Sequence, residues 1–238
     1  MDTNLPRGKD AGALETDKLA AVKFLSSGIA HGLNSPLTGI LNFLKVYSEE
    51  EPPGSERSKE LKLMVDACVY MSRIIKNLTY FSSDAKEGFA RTSVGEVIES
   101  SLHLAERRII TKDIKVVKDF PKELGMVMGS KNQLQHVFLN VIFNAEEAMK
   151  SGGEIIIRAK KSEEGNVILE IIDNGVGIPG ENIPKLFTPF FTTKKEFGGI
   201  GLGLPSVRKI LHNHGGGIRI ESEEGKGTKV VINLPIII

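Results

Sequence analysis

The sequence predicts a helical hairpin followed by an α+β layer domain with a mixed, mostly antiparallel sheet. Three observations predict it. Between residues 17 and 84, apolar residues recur at spacings of three and four, interrupted only around Pro52, Pro53 and Gly54. From residue 90 onward that pattern gives way to short apolar runs alternating with helical segments. Two glycine-rich turns, Asp173 to Gly177 and Gly199 to Leu204, flank an aromatic stretch that contains lysines.

The chain of 238 residues, 40% hydrophobic and 26% charged, has room for one large or two modest domains. The expected division is a tail or linker at 1–16, a helical hairpin at 17–85 and an α/β domain at 86–238. A net charge of +1 argues against a nucleic-acid or acidic-membrane partner. One cysteine excludes an internal disulfide and fits a reducing compartment, so a cytoplasmic location is expected. No apolar run approaches the roughly 20 residues that span a bilayer, so no membrane contact is expected within the chain. The N-terminal stretch is polar and lacks the apolar core of a signal peptide.

Residues 17–48 read as one helix. Its apolar stripe is Val22, Leu25, Ile29, Leu33, Pro36, Ile40, Phe43 and Tyr47. Residues 49–57 form a short loop. Residues 58–84 form a second helix striped by Leu61, Met64, Cys68, Met71, Ile75 and Leu78. A short loop between long helices makes an antiparallel hairpin. Two helices leave much of their apolar surface wet, and a second copy would complete a four-helix bundle, so a homodimer is expected. Cys68 lies on the stripe and is expected to pack.

His31 lies roughly 200° around the helix from both Ile29 and Leu33, and so faces away from the seam. Pro36 follows within the helical pattern and removes the bond to the Gly32 carbonyl, at a cost of about 3 kcal/mol in a helix interior. Gly32 adds about 1 kcal/mol relative to Ala. A helix weakened beside an exposed imidazole points to a functional site.

Further along, residues 93–109 read as a helix and 114–120 as a strand, with a short strand near Met126. A helix follows at 130–150. Strands 154–160 and 167–173 are joined by a turn at Gly165-Asn166. Helix 203–214 follows the second glycine turn directly, with its positive end toward whatever the glycines hold. A last hairpin, 218–222 with 229–234, turns at Gly225-Lys226-Gly227. Glycines at this density allow backbone N–H groups to face an anion, which is the physics of a phosphate site.

At this point the residues resemble a family. SSGIAHGLNSPLTGI (26–40) resembles the H-box of two-component sensor histidine kinases, and QHVFLNVIFNAEEAM (135–149) the N-box. DNGVGIP (173–179) resembles the first glycine box, FTPFFTTK (187–194) the F-box and GIGLGLP (199–205) the second glycine box. GGGIRIESEEGKGTKVVINLP (215–235) resembles the closing strands. The resemblance covers nearly everything from residue 17 onward. It implies an α + α/β sandwich: a dimeric hairpin carrying the phospho-accepting histidine, then a Bergerat-type ATP-binding domain of the kind shared with gyrase and Hsp90.

The resemblance also implies roles. His31 is the phospho-acceptor. Asn144 is the Mg²⁺ ligand and Asn140 shares the metal–phosphate corner. The two amides are four residues apart on one helix, and Mg²⁺ favours such hard oxygen ligands. Asp173 accepts from the adenine amino group, and Gly175 and Gly177 let the chain pass beneath the purine. Gly199, Gly201, Leu202 and Gly203 present backbone toward the phosphates, and Thr228 belongs to the nucleotide-contacting set. Lys194 and Lys195 either reach the triphosphate or remain solvated charges. Phe187, Phe190 and Phe191 are expected to pack. ATP and Mg²⁺ are the implied cofactors, and a response regulator receiver domain is the implied partner. His103, His136, His212 and His214 match no motif position and receive no role.

Three positions separate subtypes. Relatives that hydrolyse ATP carry a glutamate base four residues before the metal-binding Asn. Here Asn140 stands there and cannot act as a base, which disfavours an ATPase clamp and calls for an outside nucleophile. The family usually places an acid directly after its phospho-accepting histidine. Here that residue is Gly32, so slow autophosphorylation is expected, and a kinase-weak, ATP-binding dimeric scaffold is the alternative reading. Ser35 replaces the Asn or Thr that orients water for phosphatase action.

Overall fold

The computed structural model describes residues 32–82, 88–121, 123–194 and 199–237. The expectations for Val22, Leu25, Ile29, His31 and Lys195 lie outside the described residues. Packing divides the chain into two compact units, residues 1–83 and 84–238.

In the first unit, residues 32–50 are helical (α1) and Glu56–Ser82 forms α2. Ser55 starts α2 by accepting from Ser58 N–H at 3.0 Å. The hairpin core is Leu37 with Cys68 and Ile75, joined by Leu41 and Leu44. This corrects the stripe expected for α1. Leu33, Ile40, Phe43 and Tyr47 are exposed, with Phe43 at 68%, and the contact with α2 uses the neighbouring row. On α2 the expected stripe divides in two. Leu61, Cys68 and Ile75, seven residues apart, are buried, whereas Met64 and Met71 are exposed. One row thus closes the hairpin and a second apolar row on each helix remains uncovered. Cys68 packs, as expected.

The second unit carries a five-stranded sheet ordered β2-β4-β5-β7-β6. Its strands are β2 (Lys115–Asp119), β4 (Glu154–Lys161), β5 (Asn166–Asp173), β6 (Gly217–Glu223) and β7 (Gly227–Pro235). Only β2 and β4 run parallel, and the other three pairings are antiparallel, so the sheet is mixed as expected. Three helices, α3 (Val94–Thr111), α4 (Lys131–Glu147) and α5 (Gly203–Asn213), supply the second layer. Alternate residues of β4, β5 and β7 are buried: Ile155, Ile157, Ala159; Val167, Leu169, Ile171; Val230, Ile232, Leu234. On the intervening positions of β4, Arg158 and Lys160 are exposed. Helices therefore cover one face.

Two elements were not legible in the sequence. β1 (Ala90–Ser93) pairs antiparallel with β3 (Met126–Gly129) as a separate two-stranded sheet. The short strand expected near Met126 is β3, whereas β1, four residues long, shows too little alternation to be read. A 3₁₀ helix, Gly180–Lys185, follows the first glycine turn.

Candidate active site

Asp173 ends β5 on its buried side, at 6% exposure. Gly175 N–H donates to its Oδ1 at 2.9 Å. Burial holds the carboxyl above the usual carboxylate range, while the backbone N–H groups of Gly175 and Thr228 and the charge of Lys194 draw it partly back. Opposite it on β7 stands Thr228, whose Oγ1 is 2.9 Å from Ser222 Oγ. Ser222 already donates its single proton to Gly227 O at 2.8 Å, so Thr228 is the donor between them. Ser222 also accepts from Ile178 N–H at 2.9 Å, tying the first glycine turn to the β6–β7 hairpin. The sequence reading missed Ser222, since an isolated Ser in a strand carries no signal.

The glycines are required by close approach of backbone to backbone. Gly177 has φ +67, and a Cβ there would sit 2.1 Å from Glu223 O. Gly201 has φ +72, and its Cβ would lie 2.4 Å from Phe191 O. The first turn is thus pressed against the β6–β7 hairpin and the second against the aromatic stretch. Phe190 itself adopts φ +65, and its N–H donates to Gly201 O at 3.0 Å. A bulky residue held in that region is strained. Phe187 and Phe191 are half-buried, and the Arg208 guanidinium lies 5.5 Å from the Phe187 ring. Phe190 departs from the expected packing role, being 45% exposed.

Asn140 and Asn144 both lie on α4, but their surroundings differ. Asn140 is buried and Asn144 is exposed. Asn140 Nδ2 lies 2.9 Å from His136 O and 2.9 Å from His136 Nε2. Its Oδ1 faces Gly203, the first residue of α5, and would be 3.2 Å from a Cβ placed there. Leu202, the residue capping α5, is buried. Gly199 N–H donates to Lys194 O at 2.9 Å. Lys194 Nζ pairs with Glu147 Oε2 on α4 at 2.8 Å. Ser35 is exposed on α1, and nothing lies within 4 Å of a Cβ built on Gly32.

The second unit therefore joins Asp173 and Thr228 to the first glycine turn and Asn140 to the second, with Lys194 held on α4 at Glu147 and close enough to Asp173 to act on its charge. Two histidines at no motif position are also structural parts. His136 contacts Asn140, as above. His214 is buried, bonds Ile210 O through Nδ1 at 2.8 Å and accepts from Ser130 N–H at 3.1 Å. It fastens the end of α5 to the start of α4.

Residues 129–238 match the model of the Histidine kinase-, DNA gyrase B-, and HSP90-like ATPase family, and residues 21–86 match the His Kinase A (phospho-acceptor) domain. The catalytic domain of histidine kinase ThkA is 32% identical, with a TM-score of 0.56 over 62% of this chain and 95% of that one. The chain belongs to the sensor histidine kinases. The sensor histidine kinase ZraS of Salmonella typhi is 32% identical over 93% of this kinase chain and 47% of its own length. The kinase chain thus spans about half the length of that relative. ThkA in complex with the response regulator protein TrrA shares the fold at 24% identity and a TM-score of 0.63, over 93% of this chain and 64% of that one. Among the described residues no helix of this kinase is long and apolar enough to cross a membrane.

Proposed function

We propose that the chain is an ATP-dependent protein-histidine kinase core that phosphorylates itself on His31 and passes the phosphoryl group to an Asp of a response regulator receiver domain. The observation that carries this reading is the convergence of Asp173, Asn140 and the two glycine turns in a unit matched as a kinase-type ATPase, in a chain that also matches a phospho-acceptor domain. Residues 1–16 act as a tail or linker, 17–85 as the dimerisation and phosphotransfer hairpin, and 86–238 as the ATP-binding domain. The core works on the cytoplasmic side as a homodimer.

Asp173 recognises the adenine amino group. Its N–H partners, Gly175 and Thr228, favour the charged acceptor form in a buried setting. The turn at Gly175 and Gly177 lies beneath the purine. Backbone at Gly199, Gly201, Leu202 and Gly203 and the start of α5 face the phosphates. The donor set also fits Mg²⁺. Asn144 offers an exposed amide oxygen and Asn140 a second one toward Gly203, both neutral, hard and oxygen-based. Bound Mg²⁺ supplies charge neutralisation for the phosphates. Lys194 is positioned to add to that neutralisation once it leaves Glu147.

Asn140 has no basic group to activate water, so ATP is held for an outside nucleophile. A nitrogen lone pair of neutral His31 attacks the γ-phosphorus. The bond from phosphorus to the bridging oxygen breaks, ADP leaves, and the other ring nitrogen loses its proton. In this chain Gly32 offers no carboxylate to receive it. The test is incubation with γ-labelled ATP. Acid-labile, base-stable label that disappears in His31→Gln supports the proposal. ATP binding without such label would leave the dimeric scaffold reading in its place.

A further inference from the structure

On the nucleotide reading above, we propose that His136 is a positioning residue that locks the Asn140 amide so that its oxygen faces the glycine turn at Gly203. Asn140 Nδ2 lies 2.9 Å from the His136 carbonyl oxygen. A backbone carbonyl only accepts, so the nitrogen end of the amide faces His136 and the oxygen end faces away. Nδ2 is also 2.9 Å from His136 Nε2. Both amide hydrogens are thus directed at one residue, and Nε2 must present a lone pair. The imidazole is then neutral with its proton on Nδ1.

Ser206 Oγ stands farther from Nε2, at 3.4 Å, and donates its proton to Gly203 O at 2.8 Å, so the shorter contact with Asn140 sets the role of Nε2. His136, Asn140 and Ser206 are all buried, so the amide has little freedom to exchange partners with water. The freed Asn140 Oδ1 comes within 3.2 Å of where a Gly203 Cβ would stand. The ring nitrogen of His136 thus joins its own backbone carbonyl in fixing which atom Asn140 shows to the start of α5. An apolar residue at 136 would leave one amide hydrogen without its acceptor and let the amide turn over. An amide residue would keep the acceptor.

The experiment uses the full chain. Affinity for a non-hydrolysable ATP analogue with Mg²⁺ is measured by calorimetry for the wild type, His136→Gln, His136→Leu, Asn140→Ala and the His136→Leu/Asn140→Ala double variant. His136→Gln is expected to stay within about threefold of wild type and His136→Leu to weaken about tenfold. The double variant should bind no more weakly than Asn140→Ala, because His136 acts through Asn140. Wild-type affinity in His136→Leu, equal losses in Gln and Leu, or additive losses in the double variant would each overturn the proposal. Nitrogen-15 NMR of wild-type histidines tests it without any variant: an Nδ1-protonated His136 is expected, and an Nε2-protonated ring overturns it. A wild type that binds no nucleotide would overturn the nucleotide reading itself. Binding with an indifferent His136→Leu would overturn this inference alone.

Discussion

Lys194 Nζ donates to Glu147 Oε2 at 2.8 Å, tying the end of the aromatic stretch to α4 one turn beyond Asn144. Glu147 also stands 3.7 Å from Arg108, which in turn holds the buried carboxylate of Glu146 together with Lys112. On the proposed function, a triphosphate arriving beside Asn144 would compete with Glu147 for the lysine. The pair is partly exposed, so the competition is worth about 0.2–1 kcal/mol. Glu147→Gln is therefore expected to tighten ATP binding about 1.4- to fivefold, and Lys194→Ala to weaken it and erase the effect of Glu147→Gln. Calorimetric titration of the two single variants and the double variant measures this. Unchanged affinity in all three would make Lys194 a solvated charge.

Gly32 has open space around it and lies in ordinary helical backbone, so a glutamate fits there without displacing a neighbour. On the proposed mechanism, a carboxylate at this position would receive the proton that His31 loses. General-base help is worth roughly 10²–10⁴-fold, and Gly32→Glu is expected to accelerate self-labelling from ATP toward that range. Initial rates of phosphate incorporation at saturating ATP provide the comparison. Equal rates would show that another group already takes the proton.

With Asp173 as the proposed adenine acceptor, nucleotide binding is linked to pH. Burial is the largest influence on its carboxyl and raises it, so the folded state keeps the proton to a higher pH than the unfolded chain. Its contribution to stability is full below the ordinary carboxylate range and falls as pH rises through the window up to the raised value. Adenine recognition needs the charged acceptor, so ATP affinity moves the opposite way and rises through the same window. Asp173→Asn is expected to flatten the pH dependence of thermal unfolding and to weaken ATP binding at neutral pH by at least tenfold. Unfolding midpoints and binding constants between pH 4 and 7 test both halves together.

Much of the fold was legible because its signals are local. The α4 and β5 runs, the Gly165 turn and the two glycine turns each carry their pattern within about ten residues. The partners of those glycines were not legible. Nothing near Gly177 in sequence indicates that Glu223 O would press against it, nor that Phe191 O would press on Gly201. These are contacts between distant segments. The same holds for His136, which matches no motif position and gains its meaning only when its ring nitrogen meets Asn140 beside α5. On α1 the period was right and the phase was wrong. Leu33, Ile40 and Phe43 make as good a stripe as Leu37, Leu41 and Leu44, and only packing decides which row meets α2.

That phase leads to the last prediction. Leu37, Leu41 and Leu44 close the hairpin, so the outer row of Leu33, Ile40, Phe43 and Tyr47, with Met64 and Met71 on α2, is free to bury against a second copy. Full burial of a Phe side chain is worth about 1.5–3 kcal/mol, and a two-fold interface would use it twice. Phe43→Glu is therefore expected to weaken self-association by at least a hundredfold. Leu41→Glu acts on the hairpin core and should instead lower the unfolding midpoint of the first unit. Sedimentation equilibrium measures the first effect and thermal unfolding the second. A Phe43→Glu protein that remains dimeric at micromolar concentration would move the interface to another face of the hairpin.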